Sequence, residues 1–156
     1  MIELLSMRRF IVNKCFIDTN ILVYFSYGKS DFHQRSKDKL KELTKSYQLF
    51  ISNQVILEYI NTITNEKVFK ENAISIKEAV ENIDLFLTFI ELTSIQADYQ
   101  RLRGNLLKTD IPRSKLFDMN IYATMIENQI DTILTVNMKD FELFKDIKVI
   151  DIEGKA

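Results

Sequence analysis

From Lys14 to Ile152, short apolar runs alternate with longer stretches in which apolar residues recur every three or four positions. The runs "KCFID" (14–18), "YQLFIS" (47–52), "TFIELT" (88–93), "TILTV" (132–136) and "KVIDI" (148–152) are too short for helices. They are rich in β-branched and aromatic residues, so they predict five strands. Between them, the helical period predicts helices over 18–26, 30–46, 53–64, 75–87, 95–108 and 115–128, with a helical turn at 138–144. Ser30 or Asp31 reads as the start of the second of these. Strands separated by helices predict an α/β chain whose mostly parallel five-stranded sheet is covered on both faces. The pattern leaves the strand order open.

Composition narrows the class. The chain has 156 residues, 46% of them hydrophobic, with three Gly and one Pro, which suits one domain and no repeat or low-complexity tract. The one cysteine, Cys15, lies in an apolar run and has no internal disulfide partner, so it reads as a packing residue in a reducing compartment. Residues 1–13 read as an extension, 14–152 as the domain and 153–156 as a tail. Arg8 and Arg9 follow the apolar stretch of the extension and no small-residue cleavage site is present, the wrong order for a signal peptide. No run approaches the ~18 apolar residues of a membrane span, so a cytoplasmic protein with no membrane partner is expected.

The net charge is −1, but it is unevenly spread. Residues 29–45 carry a net +3 and residues 99–117 a net +4, whereas 127–153 carry −4. The basic segments read either as solvated helix faces or as places where an anionic polymer rests.

Four acids stand where chemistry is built in such folds. Ligands of open α/β sheets bind outside the carboxyl ends of the strands, and Asp18 ends the first strand. Glu58 lies in the helix after the second strand, on the side away from Val55, Tyr59 and Ile63 and together with Gln54 and Asn61. Asp118 opens the helix leading into the fourth strand, beside a Phe117/Ile121/Thr124/Met125 stripe, and Asp140 follows that strand. Each has a plain structural reading as well. Asp18 suits the cap of a turn, with Thr19 or Asn20 near the N-cap of the helix that follows, Glu58 a solvated surface, Asp118 a helix-dipole partner, and Asp140 the return half of a capping pair with Asn137. Gathered at one sheet edge, however, four carboxylates repel one another unless a divalent cation neutralises them, and oxygen-only ligands select Mg²⁺ or Mn²⁺.

The blocks "FIDTNILVYF", "ISNQVILEYINTIT", "KLFDMNIYATMIEN" and "ILTVNMKDFELF" resemble, in this order and spacing, the signature blocks of PIN-domain ribonucleases, above all the VapC-type toxins of toxin–antitoxin pairs. The resemblance implies a three-layer α/β/α sandwich that hydrolyses RNA with Mg²⁺ or Mn²⁺ held by Asp18, Glu58, Asp118 and Asp140. It implies supporting roles for Thr19, Asn20, Ser52, Thr135 and Asn137, a small antitoxin as partner, and a homodimer. Met119 departs from the small residue usual after the third acid. Arg101, Arg103, Arg113 and Lys115 are expected to hold the RNA backbone. Tyr99 or Tyr122 is expected to stack a base or pack in the core. His33 is the only histidine, which excludes a two-histidine transphosphorylation, and it reads as a helix-surface residue. A haloacid-type phosphatase would need an aspartate where Asn20 stands. The remaining rival is a catalytically silent PIN-like protein- or RNA-binding module.

Overall fold

Five parallel strands run through the centre of the computed structural model, which describes residues 12–108 and 110–153. The first eleven residues, with Arg8 and Arg9, and residues 154–156 of the expected tail lie outside the described residues. The strands are β1 (Lys14–Ile17), β2 (Gln48–Ile51), β3 (Glu91–Leu92), β4 (Thr132–Thr135) and β5 (Lys148–Asp151). Their order across the sheet is β3-β2-β1-β4-β5. Seven helices join or follow them: α1 (Thr19–Ser26), α2 (His33–Leu43), α3 (Asn53–Ile63), α4 (Glu66–Phe69), α5 (Ile76–Phe86), α6 (Tyr99–Lys108) and α7 (Leu116–Glu127).

The expected α/β/α sandwich follows from this order. From β1 the chain steps through β2 to β3 in one direction, then crosses back to β4 and on to β5 in the other. Right-handed crossovers place the helices of the two halves on opposite faces. Accordingly α1 packs against α2 and α3, and α3 against α5, while α6 packs against α7. Cys15, Phe16, Ile17, Leu49, Ile51, Ile133 and Leu134 are all buried in the sheet, as a doubly covered parallel sheet requires. Burial pushes the Cys15 thiol up to about 12, in keeping with a packing role.

Three boundaries differ from the sequence reading, each for a local reason. The third strand is shorter than 88–93 because Thr88 and Phe89 donate their N–H groups back to Leu85 and Phe86 and so finish the turn after α5. The second helix starts at His33 because the Ser30 hydroxyl accepts the Phe32 N–H in a turn ahead of it. The sixth starts at Tyr99 because the Asp98 carboxylate takes the Arg101 N–H, while the Asn128 side chain holds both the N–H and the carbonyl of Ile95. Phe117 is also not part of the core stripe: it is 73% exposed, and Met119, Ile121, Ala123, Thr124 and Met125 form the buried face of α7 instead.

Candidate active site

The sheet reverses its direction of winding between β1 and β4, and the candidate site lies outside the carboxyl ends of these two strands. The register pairs Ile17 with Leu134, so Asp18 follows β1 beside Thr135, the last residue of β4. The Asp18 N–H donates to the Leu134 carbonyl (3.0 Å), fixing the backbone there. Its carboxylate then accepts from the Thr19 N–H (2.8 Å) through Oδ1 and from the Thr135 hydroxyl (2.7 Å) through Oδ2. Asp18 itself, rather than Thr19 or Asn20, therefore caps α1, and it faces the other acids at the same time.

A cavity of about 230 Å³ opens at this point, lined by Asp18, Glu58, Asp118 and Asp140, with Thr19 and Asn20 from α1 and Asn61 and Thr62 from α3. All four acids singled out from the sequence thus meet, although 122 residues separate the first from the last. Glu58 is held by the Thr19 hydroxyl on Oε2 (2.7 Å) and by the Gln54 amide on Oε1 (2.7 Å). Gln54 in turn donates to the Phe117 carbonyl (3.2 Å) and accepts from Asn120 (2.6 Å), which ties α3 to the start of α7 beside Asp118. Asp140 accepts from the Asn137 amide (2.8 Å), and the Asn137 N–H donates to the Thr135 hydroxyl (3.1 Å). The capping pair expected of Asn137 and Asp140 does not form: Asn137 makes no side-chain cap bond, its amide donates to the Asp140 carboxylate instead, and its N–H leads, through Thr135, back to Asp18.

The cluster carries unrelieved charge. Burial first, then the Glu58 and Asp140 charges, push the Asp18 carboxyl above its ordinary value, against the two hydrogen bonds it accepts. Burial and the Asp140 charge push Asp118 up to about 6, with Lys115 opposing. Lys115 is the one cation paired with any of the four acids among the described residues. It bonds to Asp140 and stands 3.7 Å from Asp118.

The donor set fits a hard divalent cation: it is all oxygen, it is over-charged, and two of its members already share a cation in the form of the Lys115 ammonium. As the side chains stand, no three or more His, Cys, Asp or Glu among the described residues are arranged to hold a metal ion.

The other expected residues divide. Thr19, Asn20, Thr135 and Asn137 border or brace the cavity, whereas Ser52 caps α3 by accepting the Val55 N–H and lines a separate groove. Arg103 and Arg113 are exposed and enter no ion pair among the described residues. Arg101 is paired with Glu127 at the far end of α7, about 13 Å along the helix axis from Asp118, which removes it from the site. Tyr122 stacks on Phe144 at 4.4 Å and donates to Asp146, so only Tyr99, 70% exposed, stays open to a base. His33 is half-buried, with Nδ1 donating to the Tyr24 carbonyl (3.0 Å). Gln54, Asn61, Thr62 and Asn120 are contributors whose role the acids alone do not announce. The first three lie one turn from Glu58, the spacing that betrays them.

Among curated proteins none matches the chain in sequence. The sequence profile of the PIN domain matches residues 15–147. Similar solved structures include VapBC2 from Rickettsia felis bound to a DNA fragment from its promoter (23% identity, TM-score 0.60, 88% of this chain and 97% of that one). DNA-bound VapBC from Salmonella typhimurium is also similar (18%, TM-score 0.61, 90% and 99%), as is VapC20 from Mycobacterium tuberculosis, a sarcin–ricin loop cleaving toxin (17%, TM-score 0.54, 77% and 87%). At these identities the structural likeness speaks to the fold alone, and like the profile it extends over most of the chain. With the profile covering most of its length and the four acids meeting at the switch point of the sheet, the chain belongs to the PIN domain family.

Proposed function

We propose that this chain is a Mg²⁺- or Mn²⁺-dependent endoribonuclease, the toxin of a toxin–antitoxin pair, with its nuclease domain over residues 14–152. The observation that carries the reading is the convergence of Asp18, Glu58, Asp118 and Asp140 on one cavity, where among the described residues Lys115 alone pairs with any of them, and only with Asp118 and Asp140. Asp18 and Asp118 would hold the ion, with Glu58 and Asp140 assisting. When bound, the ion lowers the pKa of water for attack on phosphorus and neutralises phosphate oxygens. Thr135 and the Thr19 N–H hold the Asp18 carboxylate in place, and Thr19 and Gln54 do the same for Glu58. Arg103 and Arg113 supply positive charge for the RNA backbone.

The partners follow from the same charge pattern. An acidic cavity suits an inhibitor that presents an arginine or lysine, which is the role assigned here to a small antitoxin. Leu57 on α3 and Ile76, Val80 and Leu85 on α5 are exposed apolar residues and are the proposed contact surface for the antitoxin or a second copy of the chain. No described helix is long and apolar enough to cross a membrane, and a cytoplasmic location is proposed.

The test is cleavage of a panel of transfer and ribosomal RNAs with Mg²⁺, with Mn²⁺ and with chelator. Metal-dependent cuts that disappear in Asp118→Asn support the reading. A wild type that binds RNA or a partner but cuts nothing makes it a silent binding module.

A further inference from the structure

Lys115 was expected at the RNA backbone, yet its ammonium is turned inward. It closes the short 3-10 turn Arg113–Lys115 that delivers the chain into α7, and its side chain is 23% exposed. The Nζ bonds to Asp140 and lies 3.7 Å from Asp118 Oδ2, so one cation spans two acids supplied by different elements. Those two side chains are 30% and 22% exposed, well short of bulk water. A monovalent cation on a tether three residues from Asp118 needs no diffusion to arrive, and it meets one carboxylate that would hold the divalent ion, Asp118, and one that would assist, Asp140.

We propose that Lys115 is a tethered counter-cation that holds Asp118 and Asp140 in the ion-free protein and competes directly with the divalent ion for them. The proposal rests on the metal-site reading above. Lys115 acts through the two acids and is a positioning residue. It holds the ion-free site together and weakens the site's affinity for the ion, because the ion must displace an ammonium that is already bonded.

The experiment titrates chelator-stripped protein with Mn²⁺ by calorimetry, for wild type, Lys115→Met, Lys115→Arg and Asp118→Asn, and records melting curves with and without the ion. Lys115→Met is expected to bind Mn²⁺ about tenfold more tightly and to melt lower than wild type only in chelator, while Lys115→Arg keeps wild-type affinity. A lysine whose role is only structural would lower both melting points and leave affinity unchanged, and that result overturns the proposal. Loss of binding in Asp118→Asn with no effect of Lys115→Met keeps the metal site and overturns the competition. Absence of Mn²⁺ binding in wild type overturns both. Should Lys115→Met not fold, amine labelling of wild type read by mass spectrometry decides. Greater labelling of Lys115 in Mn²⁺ than in chelator supports displacement, and equal labelling overturns it.

Discussion

Asp18 shows how one residue serves fold and site together. Its carboxylate caps α1 and accepts from Thr135, yet burial and neighbouring acids raise its pKa, so the ionised form weighs against folding at neutral pH. In Asp18→Asn the carbonyl can keep the Thr19 N–H, and the Thr135 hydroxyl can turn to accept from the new amide. The variant is therefore expected to lose RNA cleavage and to be as stable as wild type in chelator, or more stable by about 1 kcal/mol, as urea titration would show. An active Asp18→Asn protein ends the nuclease reading. Asp118 makes the pH dependence explicit. Its folded pKa of about 6 lies above the 3.8 of the free side chain, so the folded state binds the proton more tightly. The resulting stability is fully present below pH ~4 and is lost as pH rises through ~6, on the order of 2–3 kcal/mol. In chelator, wild type should lose that much between pH 4 and 7 relative to Asp118→Asn, and a flat difference would show that the carboxyl is not raised.

At the scale of elements, the end of α7 holds a strain that its sequence does not advertise. The Gln129 and Ile130 N–H groups return to Ile126 and Met125 (3.1 and 2.9 Å), the double closure in which the residue after the cap is usually glycine. Gln129 fills that position with φ 57°, and Ile130 and Met125, both buried, supply the apolar contact of the motif. Gln129→Gly is expected to stabilise the chain by about 0.5–1 kcal/mol, less than the full left-handed cost because glycine also frees the unfolded chain. A melting point at or below that of wild type counts against the assignment. Legibility at this scale tracks what each signal measures. The apolar patterns of β1, β2, β4 and α3 recur in the structure almost to the residue because burial itself selects them. The shortness of β3 and the late start of α2 turned on side-chain bonds from Ser30 and turn bonds at Thr88 and Phe89, which periodicity does not register.

For the whole molecule, the strand order was the missing link between four scattered acids and one site. Placing β4 beside β1 sets Thr135 against Asp18, and the same crossover brings the start of α7 to the same edge. The acids themselves were legible because Asp18, Glu58 and Asp140 come at or soon after strand ends and Asp118 opens the helix leading into β4; the lysine among them was not, since its inward turn depends on which carboxylates the fold puts within its reach. This path through the chain has a thermodynamic consequence. A ligand held jointly by β1, α3, α7 and the segment after β4 binds only when the entire fold is in place, so it should stabilise the molecule as one unit. At an ion concentration about 100 times the dissociation constant the gain is ~2.7 kcal/mol. For a chain of this size that corresponds to a rise in Tm of roughly 5–10 °C. Calorimetric scans in Mn²⁺ against chelator should show that rise in wild type as a single transition, and Asp118→Asn should show little of it. A rise of equal size in Asp118→Asn would place the ion elsewhere on the protein and separate the acidic cavity from metal binding.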